Sequence, residues 1–150
     1  MASRMTGNDT SKRDNAPGYL AALINREITR RIDLELRPLG ITLTQLRPMF
    51  MVAHSGPTSQ RDILAHSEVG QPAMVSMLAK LERLGLVERA AHPTDRRASL
   101  VVLTTAGREL VDAATPVIYR VNDQARKGLS VEERTTLAQL MQRVLANLIR

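Results

Sequence analysis

From Thr58 to Thr105 the chain changes character repeatedly, in an order that few folds accommodate. Ser59, with Asp62 three residues on, opens a helix in the manner of a capping box, and Ile63 and Leu64 supply its buried contacts. Ser67-Glu68-Val69-Gly70 reads as a turn. A second helix follows from about Gln71 to Leu84, with Pro72 in its first turn and Gly85 as its stop. Leu86 to Ala90 and Ala98 to Leu103 are apolar or β-branched runs flanking His92-Pro93-Thr94-Asp95-Arg96-Arg97, which predicts a hairpin with a basic tip. Helix, turn, helix and hairpin together outline a winged helix-turn-helix. Such a unit sets one helix into the major groove of duplex DNA and lays the hairpin beside it.

Helices flank this unit on both sides. Leu20, Leu23, Ile24, Ile28, Ile32 and Leu36 recur at three- and four-residue steps, so a first helix runs from Pro17 or Gly18 to Leu36 and ends at Arg37, Pro38 and Gly40. A second starts with Thr44 as its N-cap and continues to His54, with Pro48 near its start; Ser55-Gly56-Pro57 then breaks the chain. After the hairpin, Thr104 or Thr105 caps a long helix over about Ala106 to Lys127, in which Pro116 should cause a kink. Ser130 and Glu133 form a capping box for a last helix, whose stripe is Leu137, Leu140, Met141, Val144, Leu145 and Leu148. The expected fold is therefore mainly α. A winged helix over about residues 42–105 lies between helices at about 17–37 and 106–150, all within one domain spanning 17–150. The first, fifth and sixth helices carry more apolar surface than so thin a domain can cover, which suits pairing of two copies; the alternative is packing within one chain. Residues 1–16 are polar and read as a disordered tail.

A net charge of +6 favours polyanionic partners. Aromatic residues make up only 2% of the chain, too few for the base-stacking platforms of single-stranded RNA binders. There is no cysteine, which excludes disulfides and thiolate sensing and suits the cytoplasm. No apolar run approaches the roughly 18 residues that span a bilayer, and the N-terminal residues have no apolar stretch of the kind found in a secretory signal. His54, His66 and His92 stand in three separate segments, so neither a metal site nor a cofactor is expected.

On a helical wheel Met74, Met77, Leu78 and Leu81 fall on the packing side of the helix that begins at Gln71. Pro72, Ala73, Ser76 and Lys80 fall opposite, with Gln71 at the exposed start. A recognition helix needs this distribution, because bulk near its N-terminus would keep it from base edges. Gln71 can pair with adenine, Ser76 with several bases, Ala73 can touch a thymine methyl, and Lys80 can reach phosphate or guanine. The same pattern also fits an ordinary amphipathic surface helix. Ser59, Gln60 and Arg61 begin the preceding helix and are candidate phosphate contacts, although Ser59 also serves as a plain N-cap. Arg96 and Arg97 at the hairpin tip suit a narrow minor groove. Asp95 would either brace an arginine through a bidentate pair or act as a turn residue.

Three strings resemble the MarR family of bacterial transcription regulators: Leu81-Glu82-Arg83-Leu84-Gly85-Leu86-Val87-Glu88-Arg89, Asp95-Arg96-Arg97-Ala98 and Leu103-Thr104-Thr105-Ala106-Gly107. With the flanking helices, the resemblance covers nearly all of residues 17–150. It implies a homodimer that sets two winged domains on a pseudo-palindromic operator in double-stranded DNA, often responding to a small phenolic or other aromatic effector. It also implies that Arg97 is the minor-groove arginine and Asp95 its brace. Ser76 departs from the pattern, since the family often has a basic residue there.

An effector pocket is expected where the first, second and fifth helices meet the winged unit, with Tyr19, Met49, Met51, His54 and Tyr119 as candidates. Methionines at such spacing also serve as plain core. No nucleophile triad, phosphate loop or carboxylate pair points to an enzyme. The leading expectation is a cytoplasmic, nucleoid-associated repressor of nearby genes. The rival is a winged helix that binds only proteins.

Overall fold

A computed structural model describes residues 14–149. The elements run α1 (Pro17–Leu36), a 3-10 turn (Arg37–Leu39), α2 (Leu43–Ser55), β1 (Thr58–Ser59), α3 (Gln60–Ala65), α4 (Gln71–Arg83), β2 (Val87–Ala91), β3 (Ser99–Leu103), α5 (Thr105–Ala125) and α6 (Val131–Leu148). The expected disordered tail lies mostly outside the described residues. The chain forms two compact units, one built from Ile32–Tyr119 and the other from both chain ends.

In the Ile32–Tyr119 unit the core gathers the apolar stripes of each helix. Ile32, Leu36, Leu46, Met49, Ile63, Met74, Leu78, Leu81, Val101 and Leu103 are buried there. Helix α2 starts two residues earlier than expected. Thr42, not Thr44, is its N-cap, and Gln45 completes a reciprocal capping box: Gln45 N–H donates to Thr42 Oγ1 at 3.3 Å and Thr42 N–H donates to Gln45 Oε1 at 3.1 Å. Asp33 Oδ1 accepts the Leu43 N–H at 2.7 Å and satisfies another donor at the same helix end.

The sheet order is β1-β3-β2, with both pairings antiparallel. The two-residue strand β1 has no signal in the sequence; it exists because Thr58 and Ser59 pair with Val101 and Leu100. Strand β3 is therefore central, and it turns Val101 and Leu103 inward. Helix α4 ends at Gly85, whose φ of +70° is the left-handed region that glycine favours. The Leu86 N–H reaches back to the Leu81 carbonyl at 3.0 Å, the Schellman closure. A second close approach follows. An added Cβ on Gly107 would sit 2.0 Å from the Leu86 carbonyl oxygen, so only glycine lets the start of α5 meet the link between α4 and β2. The hydroxyl of Thr104 donates to the Gly85 carbonyl at 2.6 Å and accepts the Gly107 N–H at 3.0 Å, capping α5.

In the unit made of the chain ends, α6 opens on the expected box: Ser130 Oγ accepts the Glu133 N–H at 3.2 Å and Ser130 N–H donates to Glu133 Oε2 at 2.8 Å. No described residue of α6 is buried. Leu137, Leu140, Met141, Val144, Leu145 and Leu148 are all exposed, and so are Leu20 and Ile24 on α1.

Candidate nucleic-acid interface

The side chains that the sequence assigns to recognition lie on the solvent side of α4. Gln71, Pro72, Ala73, Ser76 and Lys80 are exposed, while Met74, Leu78 and Leu81 are buried and Met77 is half-buried. Gly70 is the N-cap and offers no side-chain acceptor, so the first N–H groups of α4 meet no side-chain cap among the described residues. Val75 is also exposed on this helix, an apolar side chain outside the expected recognition face.

Helix α3 is less available than expected. The Ser59 hydroxyl donates to Asp62 Oδ2 at 2.6 Å and accepts the Asp62 N–H at 3.1 Å. Gln60 Oε1 accepts a hydrogen from the Arg89 guanidinium at 3.1 Å. Two of the three candidate phosphate contacts are thus engaged within the protein. Arg61 is exposed and makes no ion pair among the described residues.

Arg89 itself escapes sequence reasoning as a functional residue, although it ends the Gly-Leu-Val-Glu-Arg string. From β2 it also donates to Glu82 Oε1 of α4 at 3.3 Å. One guanidinium therefore holds the wing strand, the start of α3 and the second half of α4 in fixed relation. Its planar fork of donors suits that task.

The tip between β2 and β3 is folded by side-chain caps. His92 Nδ1 accepts the N–H groups of Thr94 at 3.3 Å and Asp95 at 3.1 Å. Asp95 Oδ1 accepts the Arg97 N–H at 2.9 Å, and the Ala98 N–H donates to the Asp95 carbonyl at 3.2 Å. Asp95 is thus the turn residue of the two alternatives: its carboxylate holds the backbone of Arg97 and makes no ion pair with a guanidinium among the described residues. Arg96 and Arg97 are exposed.

The candidate effector residues differ in exposure. Met49 is fully buried as core, His54 is exposed, Tyr119 is 67% exposed and Tyr19 is half-buried. Met51 lines two cavities, one beside α3 and α4 and one beside the wing tip, and neither contains the other four residues. A separate cavity of about 400 Å³ is lined by Val52, Ala53, Leu103 and Val111, with Glu88, Arg108 and Asp112 as its charged groups. Among the described residues no group of three His, Cys, Asp or Glu side chains could hold a metal ion, and no helix is long and apolar enough to cross a membrane.

A helix-turn-helix whose second helix shows a small polar face, followed by a two-stranded hairpin with an arginine-bearing tip, defines a winged helix-turn-helix protein. A MarR-family model matches residues 39–98, the stretch from the end of the 3-10 turn to the wing tip. An HTH-type transcriptional repressor of Mycobacterium tuberculosis is 27% identical over 132 residues, covering 87% of this chain and 95% of its own length. The crystal structure of a mutant MarR from E. coli complexed with operator DNA is similar with a TM-score of 0.77 at 28% identity, covering 85% of this chain and 92% of that one. A crystal structure of an S. aureus MepR–DNA complex is similar with a TM-score of 0.78 at 25% identity, covering 90% and 98%. Over residues 39–98 the chain thus matches the MarR family model, and over most of its length it is similar to winged helix-turn-helix transcriptional regulators.

Proposed function

We propose that two copies of this chain bind a pseudo-palindromic operator in double-stranded DNA, repress nearby genes, and are released by a small aromatic or phenolic effector. The observation that carries the reading is the Arg89 link. It joins a helix with an exposed Gln71-Pro72-Ala73, Ser76 and Lys80 face to a wing that ends in Arg96 and Arg97. Helix and wing then approach neighbouring grooves as one piece. Gln71, Ala73 and Ser76 read base edges, Lys80 and Arg61 meet phosphate, and Arg97 enters the minor groove. The short Ser76 side chain makes readout at that position depend on close approach. Such a regulator would work in the cytoplasm, at the nucleoid when bound to DNA.

Support for the homodimer comes from the bare apolar stripe of α6 and the exposed Leu20 and Ile24 of α1, since surface of that kind on a described chain calls for a partner. A twofold axis would set the two α4 helices about one turn of B-DNA apart, roughly 34 Å. Support for an effector comes from the 400 Å³ cavity, whose apolar wall suits an aromatic ring and whose Arg108 suits a carboxylate or phenolate. A ligand there acts only if it binds more tightly at one wing spacing than at the other.

The test is a fluorescence-anisotropy titration on the DNA upstream of the chain's own gene, against scrambled DNA, over a range of salt concentrations. Specific retention with a steep salt slope is expected. Retention that ignores sequence would leave only a basic surface, and no retention would favour a winged helix that binds proteins.

A further inference from the structure

We infer that His92 is a positioning residue for operator binding: its Nδ1 atom caps the wing turn and thereby sets the direction of Arg96 and Arg97. The inference rests on the operator-binding reading above and adds a residue that the reading does not need.

The tip spans seven residues between the last β2–β3 pair, Ala91 and Ser99, with no ladder hydrogen bonds of its own. Its order comes from a relay of caps. His92 Nδ1 takes the N–H groups of Thr94 and Asp95, Asp95 Oδ1 takes the N–H of Arg97, and the Asp95 carbonyl takes the N–H of Ala98. The first cap fixes where Asp95 begins, and the second fixes the backbone that carries Arg97. Pro93 has no N–H and a preset φ, so it needs no partner between them. In this role the imidazole Nδ1 mimics the side-chain oxygen of an Asn or Asp that opens a turn.

Arginine side chains are long. An unanchored tip would still offer two positive charges, but each would lose entropy on finding the groove. The capped tip meets that cost before DNA arrives. Removing the cap should therefore lower affinity without moving the fold, because the tip is exposed and the core lies elsewhere.

The experiment compares wild type with H92A, H92F, H92N and R97A on the chain's own upstream DNA, at several salt concentrations. H92A and H92F should bind about tenfold more weakly, with a salt slope shallower by about one unit. H92N should stay within about threefold of wild type, because Asn Oδ1 can accept the same two N–H groups. All four variants should melt like wild type. Amide hydrogen exchange without DNA reads the cap directly: Thr94 and Asp95 should be protected in wild type and H92N and exposed in H92A. H92A and H92F binding like wild type on DNA that R97A releases would overturn the inference and leave operator binding standing. H92N as weak as H92A would overturn the capping role. Wild type that ignores the DNA overturns both readings.

Discussion

Replacing Gly107 by alanine should destabilise the protein even though it puts a better helix former into a helix. Alanine ordinarily gains about 1 kcal/mol over glycine in a helix. Here its Cβ would stand 2.0 Å from the Leu86 carbonyl oxygen, 3.0 Å from the Leu86 carbonyl carbon and 3.3 Å from Leu103 Cδ2. The first two obstacles are backbone, which cannot rotate away, so α5 and the α4–β2 link must separate by about an ångström. That carbonyl also accepts the Thr104 N–H at 3.1 Å, a bond worth about 1 kcal/mol that the shift would break. Overpacking of this kind costs about 1–3 kcal/mol, and the backbone position places it at the upper end. The net expectation is about 2–4 kcal/mol of lost stability, or about 5–15 °C in Tm for a chain of this size. The assay is thermal unfolding followed by circular dichroism at one fixed protein concentration, because an assembling chain melts in a concentration-dependent way. Gly18→Ala is the paired control. Gly18 also lies in a helix, but nothing lies within 4 Å of its added Cβ, so that change should leave Tm level or raise it slightly. A Gly107→Ala protein that melts with or above wild type would refute the close approach as the reason for glycine there.

Arg89→Met should weaken operator binding by about tenfold with sequence preference unchanged, and should cost only about 1 kcal/mol of stability because the Arg89–Glu82 pair is partly exposed; equilibrium urea unfolding and anisotropy separate the two effects. Leu140→Glu should convert the proposed dimer to monomers at micromolar concentration by setting a charge on the α6 stripe of each copy, as read by analytical ultracentrifugation. Ser76→Ala should change which operator bases are preferred while the salt slope stays the same; a slope lower by about one unit with preference intact would show that Ser76 does not read bases. The Glu132 carboxylate is held below its ordinary value by its own backbone N–H at the start of α6 and then by the Ser130 hydroxyl. Its folded pKa is depressed, so its contribution is present above the ordinary carboxylate range and fades as pH falls through the folded value. An NMR titration should show Glu132 titrating below a carboxylate that lacks these donors.

Helix starts are legible where a capping residue and its partner stand three apart, as at Ser59 with Asp62 and Ser130 with Glu133. The same rule points to Thr42 with Gln45; Thr44 misleads because it lies nearer the apolar run. Strand β1 is not legible, because two residues cannot show a period and their pairing with Val101 and Leu100 lies some forty residues away. The exposed face of α4 is legible from periodicity alone. The Arg89 bridge is not, since Gln60 and Glu82 are its neighbours only after folding. At the tip, Asp95 has two chemically sound roles in the sequence, and the backbone geometry selects the turn. Met49 is core, which its spacing does not reveal, because methionine spacing looks alike in a core and in a cavity wall.

Strand β3 has neighbours on both edges, β1 on one side and β2 on the other. The wing is consequently clamped at its base, and bending there would break pairings in two directions. Adjustment of the hairpin itself to duplexes of different groove width is confined to the seven-residue loop between Ala91 and Ser99, rather than a swing of the whole arm.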